Sequence, residues 1–205
     1  MSLTNSTMLA LGTPLPAFDL EVLQKTSFSG AVQRRNWRFH SGLLLRKPTL
    51  LMVLCAHCPF VKNIENELVR IDQDYGTKVQ ILAIASNSVL THPEDGPAQL
   101  AAQARQRGWK FPYLLDTEQN FVKALRAACT PDFFLFSPSE DDTQRLNYRG
   151  QLDSSRPGND IQPNGEDLRK AMDSLLLGEE VDPLQRPSIG CNIKWHPGRV
   201  PAWFG

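Results

Sequence analysis

Residues 49–54 of this chain read Thr-Leu-Leu-Met-Val-Leu, an apolar run without alternation. A strand with one face in water alternates apolar and polar side chains. A strand without that alternation is buried on both faces, and such strands belong mainly to parallel sheets covered by helices. A second run, Val79–Ala85 (VQILAIA), has the same character. Between the two, Phe60, Ile64, Leu68, Ile71 and Tyr75 recur at helical spacing. Lys62, Glu65, Glu67 and Arg70 lie off that stripe, and Gly76 ends it. Strand, helix and strand in this order predict a βαβ unit and an α/β fold.

The rest of the chain continues the alternation. AQLAAQARQRG reads as a helix closed by Gly108, FPYLLD as a short strand, and TEQNFVKALRAA as a helix capped by Asp116. PDFFLF and RLNYRGQL read as strands joined by a polar turn, so they form an antiparallel hairpin and make the central sheet mixed. A long polar loop follows, and GEDLRKAMDSLLLG is the last helix. Before the core, the segment through Pro16 is extended and AFDLEVLQ is a strand. SFSGAVQRRNWRFHSGLLLRKP reads as short strands or a turn of helix. Residues 181–205 carry prolines, two tryptophans and a cysteine without a period. The expectation is one domain over residues 1–205, its core at 12–180, with an N-terminal extension and a C-terminal tail.

Composition narrows the function. Hydrophobic residues make up 41% and formal net charge is zero, so a core is attainable and nothing selects nucleic acid or an anionic membrane as a partner. The opening MSLTNSTMLALGTPLPAF has no basic region and no apolar run of signal-peptide length, and a cytoplasmic location is expected. In a reducing compartment, close cysteines are more often catalytic or metal-binding than structural.

Such a pair follows the first buried strand. Cys55-Ala56-His57-Cys58-Pro59 precedes the helix directly. A helix start offers unpaired N–H groups and partial positive charge, both of which stabilise a thiolate. Proline is tolerated only in the first turn, so the cysteines lie at the tip. On this reading Cys55 is the more exposed, attacking thiol and Cys58 the buried one that resolves the mixed disulfide. His57 favours the Cys55 thiolate. No metal is expected, because zinc sites usually show four ligands with a second spaced pair and none is present. A metal or iron–sulfur binding module remains the alternative of another class. His40, His92 and His196 have no partner at ligand spacing. Cys129 reads as a small apolar filler, and Cys191 as a candidate third redox thiol or a buried tail residue.

Cys55-Ala56-His57-Cys58 between TLLMVL and the helix, with Thr130-Pro131 before DFFLF, resembles the thioredoxin superfamily. CAHCPFVK, FPYLLD, RPGNDI and SIGCNIKW, in that order, are similar to an AhpC/TSA-type redoxin subgroup with a C-x-H-C-P motif. The resemblance implies a thioredoxin-like fold and a thiol–disulfide oxidoreductase without settled substrate. It implies a cis Pro131 beside the cysteine pair, and a Thr130 backbone that pairs with an extended substrate strand. No cofactor is implied, and the partners would be protein or small-molecule disulfides and thiols. The pattern also departs from its relatives. Leu54 stands where thioredoxins carry Trp, and Thr49 where they bury a carboxylate. The x-His dipeptide is similar to that of more oxidising relatives. Leu51 and Cys55 stand where the peroxiredoxin motif has Pro and Thr, which argues against a peroxidase of that type, the nearer alternative.

Overall fold

The computed structural model describes residues 3–23 and 37–204. Part of the segment expected to hold short strands or a turn of helix lies outside the described residues. The strands are β1 (Leu3–Asn5), β2 (Asp19–Val22), β3 (Arg38–His40), β4 (Thr49–Val53), β5 (Gln80–Ala85), β6 (Tyr113–Leu115), β7 (Cys129–Thr130), β8 (Asp132–Pro138), β9 (Gln144–Gly150) and β10 (Ile189–Asn192). The helices are α1 (Pro59–Tyr75), α2 (Pro97–Arg107), α3 (Asn120–Ala124) and α4 (Glu166–Leu177). The main sheet has the order β3-β2-β6-β5-β4-β8-β9. Its centre, β4-β5-β6, is parallel, and β8 returns antiparallel on β4. The fold is therefore thioredoxin-like, a mixed sheet flanked by helices.

The apolar runs behave as their composition dictates. Leu50 and Met52 face α1, α2 and α4, whereas Leu51 and Val53 face the opposite side with α3 and Trp195. All four are fully buried. Each such side chain contributes about 1.5–3 kcal/mol, so β4 is a rigid mount for the loop that leaves it at Leu54. Gly108 ends α2 at φ +69, a left-handed turn that a Cβ disfavours.

Three local expectations change. Glu65 and Glu67 are buried, because Arg107 reaches Glu65 at 2.6 Å and Arg169 reaches Glu67 at 2.8 Å. The helix expected after Asp116 covers only Asn120–Ala124. Asp116 still accepts from the Val122 N–H, but Gln119 turns left-handed at φ +61 and spends its amide on Ser86 O and Lys194 O. Tertiary hydrogen bonds outweigh the local helix there. Third, the tail has a strand: β10 joins β1 and β7 in a second sheet of order β1-β10-β7. Beyond it Ile193 and Trp195 are buried against the second face of the main sheet, with Trp203 and Phe204 packed on them. Among the described residues, no helix is long and apolar enough to cross a membrane.

Candidate active site

The motif is positioned by its proline. Pro59 occupies the first turn of α1 and has no N–H to satisfy, and the residue before a proline is held extended. Cys58 is accordingly the N-cap, at φ −66 and ψ 124. The helix start therefore acts on Cys58 more directly than on Cys55. The Val61 N–H faces the Cys58 sulfur without closing a formal cap hydrogen bond.

Cys55 and Cys58 both meet Thr130. Cys55 Sγ lies 3.2 Å from Thr130 Oγ1, and the Cys58 thiol donates to Thr130 O at 3.2 Å. The Thr130–Pro131 bond is cis, as the resemblance implies. Cys191, far along the chain, comes to the same place: its Sγ is 2.8 Å from Cys58 Sγ. All four cysteines are thiols, and all four are buried. The expected difference in exposure is absent: Cys55 is 1% exposed and Cys58 0%. Cys129 stands apart, with its thiol directed at Pro131 O.

The proton balance centres on Cys58. Hydrogen bonds from the Cys191 and Cys55 thiols pull the Cys58 thiol well below its ordinary range, against burial. Protonated, Cys58 donates to Thr130 O; ionised, it accepts from its two neighbours. Cys55 is pushed up, first by the hydrogen it shares with Cys58, then by burial and by the charge of Asp95. Cys191 is pushed up by its hydrogen bond to Cys58 and by burial. Cys129 is raised by burial and by the nearby Asp132.

His57 does not approach Cys55 as a hydrogen-bond partner. Its Nδ1 lies 2.6 Å from Asp95 Oδ2, and its ring stacks on His92 at 5.5 Å. Asp95 is the residue that composes the loop. Its Oδ1 accepts the Ala56 and His57 N–H groups at 2.8 and 3.1 Å, and Oδ2 also accepts Asn87 Nδ2 at 2.7 Å. Gln103 ties the other side, donating to Cys55 O and to buried Glu65. None of Asp95, Asn87 and Gln103 has a sequence spacing that announces it. Cys55, His57 and Asp95 offer ligand atoms within 4.8 Å of one another, a set that could hold a metal ion. Both Asp95 oxygens are already engaged by these donors, so a metal would have to displace the contacts that shape the motif.

Beyond the cis proline, a shallow groove is lined by Phe60, Ile64, Pro131, Ser155, Arg156 and Ile189. Arg156 belongs to the RPGND segment, whose chemistry alone names no role. Its guanidinium donates to Asp153 O and Ser155 O and fixes the loop on this rim. Asp132, directly after Pro131, is fully buried, and burial pushes its carboxyl up to about 8.

A search of the curated proteins finds no match. Among solved structures, an uncharacterized conserved protein from Geobacillus kaustophilus is 40% identical, with TM-score 0.86 over 97% of this chain and 98% of that one. A hypothetical protein from Sinorhizobium meliloti 1021 is 37% identical, with TM-score 0.84 over 95% of this chain and 100% of that one. A secreted Mycobacterium tuberculosis disulfide oxidoreductase homologous to E. coli DsbE shares the fold at 14% identity, with TM-score 0.52 over 77% and 95% of the two chains. A thioredoxin-like sheet bearing a thiol cluster at a helix start defines a thiol-based redox protein. The chain belongs to the AhpC/TSA family, whose model matches residues 11–141.

Proposed function

We propose that this chain is a thiol–disulfide oxidoreductase working through Cys55 and Cys58. The observation that carries the reading is the convergence of both sulfurs on Thr130, beside cis Pro131 and at the start of α1. The roles follow the helix start and reverse the order expected from sequence. Cys58, the N-cap of α1 with the Val61 N–H facing its sulfur, is the thiolate that attacks one sulfur of a partner disulfide. A mixed disulfide forms, and the first partner thiolate leaves. Cys55 then loses its proton and attacks Cys58 Sγ. The Cys55–Cys58 disulfide closes and the second partner thiolate departs, the protons of the two cysteines going to the released thiols. The chain loses two electrons and the partner disulfide gains them. A thiol donor in the reducing cytoplasm would restore the dithiol. Asp95 acts as a positioning residue, and a protein or small-molecule disulfide approaches beside cis Pro131, next to Thr130.

The test is equilibration of the protein against glutathione over a range of poises, with the linkage read by peptide mapping. A Cys55–Cys58 disulfide is expected, and a Cys55→Ser, Cys191→Ser double variant, which removes both neighbours of Cys58, should trap a mixed disulfide on Cys58. Trapping on Cys55 by Cys58→Ser instead would reverse the roles and keep the dithiol. Absence of the linkage at every poise would overturn the reading. So would saturable oxidation by a hydroperoxide much faster than that of a free thiol, which belongs to a peroxidase, or activity that requires bound metal.

A further inference from the structure

Extended substrates can bind a protein by adding a strand to an open sheet edge. Here the edge beside the cis proline is filled from within. β10 lies antiparallel between β1 and β7, with Cys191 opposite Thr130 on one side and Leu3 on the other. Its seating is close enough to demand a glycine: a Cβ on Gly190 would lie 2.1 Å from Thr130 O. That approach delivers the next side chain, Cys191, to Cys58 at 2.8 Å. A covalent disulfide is about 2.05 Å long, so a small movement separates contact from bond. The site is therefore a triad with Cys58 in the middle, and only one neighbour at a time can bond to it.

We infer that Cys191 is a third redox thiol, and that β10 serves as a built-in substrate strand whose sulfur exchanges with Cys55 for Cys58. The inference rests on the dithiol reading above for its source of oxidising equivalents. In the exchange, Cys191 gives up its proton and attacks Cys58 Sγ. The Cys58–Cys191 bond forms, the Cys55–Cys58 bond breaks, and Cys55 leaves as a thiolate that takes the proton. No electron is gained or lost overall, so the step needs no further reagent. The two electrons removed to make the first disulfide went to the partner disulfide. The result is an oxidised state in which β10 is covalently fixed on β7 and Cys55 is released. An external strand can then reach Thr130 only after reduction and displacement of the tail.

The experiment oxidises the full chain, as wild type and as Cys55→Ser, with oxidised glutathione, followed by alkylation and non-reducing peptide mapping. Two linkages are expected in the wild type, Cys55–Cys58 and Cys58–Cys191. In Cys55→Ser the Cys58–Cys191 linkage should predominate over glutathione adducts by tenfold or more, with Cys129 alkylated as a thiol. If Cys55→Ser yields only a glutathione adduct on Cys58 while the wild type closes Cys55–Cys58, the inference is wrong and the dithiol stands. If Cys58–Cys191 is the sole linkage in the wild type, the dithiol reading fails, and the exchange step fails with it because there is no Cys55–Cys58 bond to break. If the variant does not fold, the wild-type map decides alone: absence of Cys58–Cys191 overturns the inference.

Discussion

Cys58 is approached from two sides, and the two sides are built differently. Cys55 arrives through a short loop between a buried strand and a proline at the helix start, and the Asp95 carboxylate, 38 and 39 residues away, holds two successive N–H groups of that loop. Cys191 arrives from a sequence distance of 133 residues, by strand pairing and a glycine that admits a carbonyl. The first side is held by a short loop pinned between β4 and α1 and by Asp95. The second is held by a four-residue strand paired on both edges and by Ile193 and Trp195 buried beyond it. The difference suggests that the redox state of one pair can change while the loop stays fixed, but not without consequence for the tail.

The largest expected effect lies beneath the tail. Asp132 sits at the head of β8, near Ser188 just before β10, and accepts the Phe133 N–H at 3.2 Å. Its carboxyl is raised from 3.8 to about 8, with burial the main cause. A raised pKa means the folded state binds the proton more tightly than the unfolded chain does. This stabilisation is complete below about pH 4 and is lost as pH rises through about 8. Asp132→Asn should flatten the stability curve across that window. The gain at the alkaline end is at most about 6 kcal/mol, since one unit corresponds to about 1.36 kcal/mol. Urea melts at pH 5 and pH 8.5 measure it. A slope unchanged by the substitution would mean that Asp132 is not the group responsible.

A smaller effect is expected where β10 meets β7. Gly190→Ala forces the tail from Thr130 O, and overpacking of this kind costs about 1–3 kcal/mol. The signature is chemical as well as thermodynamic. Cys58 and Cys191 should become accessible to iodoacetamide in the native protein, while the loop held by Asp95 stays in place. If alkylation of Cys58 does not rise, the tail is not what covers it, and the contrast between the two sides collapses.

What the sequence made legible follows the same division. β4, α1 and β5 were readable because buried strands and amphipathic helices leave a period in consecutive residues. The start of α1 was readable too, from Pro59 in its first turn, but the residue that caps it, Cys58, was not singled out from the tip. Glu65 and Glu67 looked like solvent-facing residues because their partners, Arg107 and Arg169, lie on other helices. β10 left no signal: four residues flanked by Pro187 show no alternation, and its partners begin at Leu3 and Cys129. Cys191 could be marked as a candidate, but only strand pairing brings it to Cys58. Asp95 was hidden in a turn for the same reason, since its role depends on contacts 38 and 39 residues away.

The smallest effect is expected on the local side, from Asp95→Asn. The amide oxygen can still accept the Ala56 and His57 N–H groups. The new amino group faces both His57 Nδ1 and Asn87 Nδ2; it can donate to an unprotonated His57 nitrogen, but against Asn87 it is a donor facing a donor, and one of the two must turn or lose a partner. A lost buried hydrogen bond of this type costs about 1–3 kcal/mol, and retention of the backbone pair keeps the cost near the lower end. The electrical consequence is distinct from the mechanical one. Cys55 is held up mainly by the hydrogen shared with Cys58 and by burial, and the Asp95 charge adds to both. Removing that charge should move the pH profile of Cys55 alkylation downward without moving that of Cys58. Measured on denaturant-free protein under reducing conditions, a parallel shift of both thiols would mean that the triad shares one proton so tightly that the two sides cannot be separated. A shift of Cys55 alone would show that the loop tunes its own cysteine and leaves the other side of Cys58 to the tail.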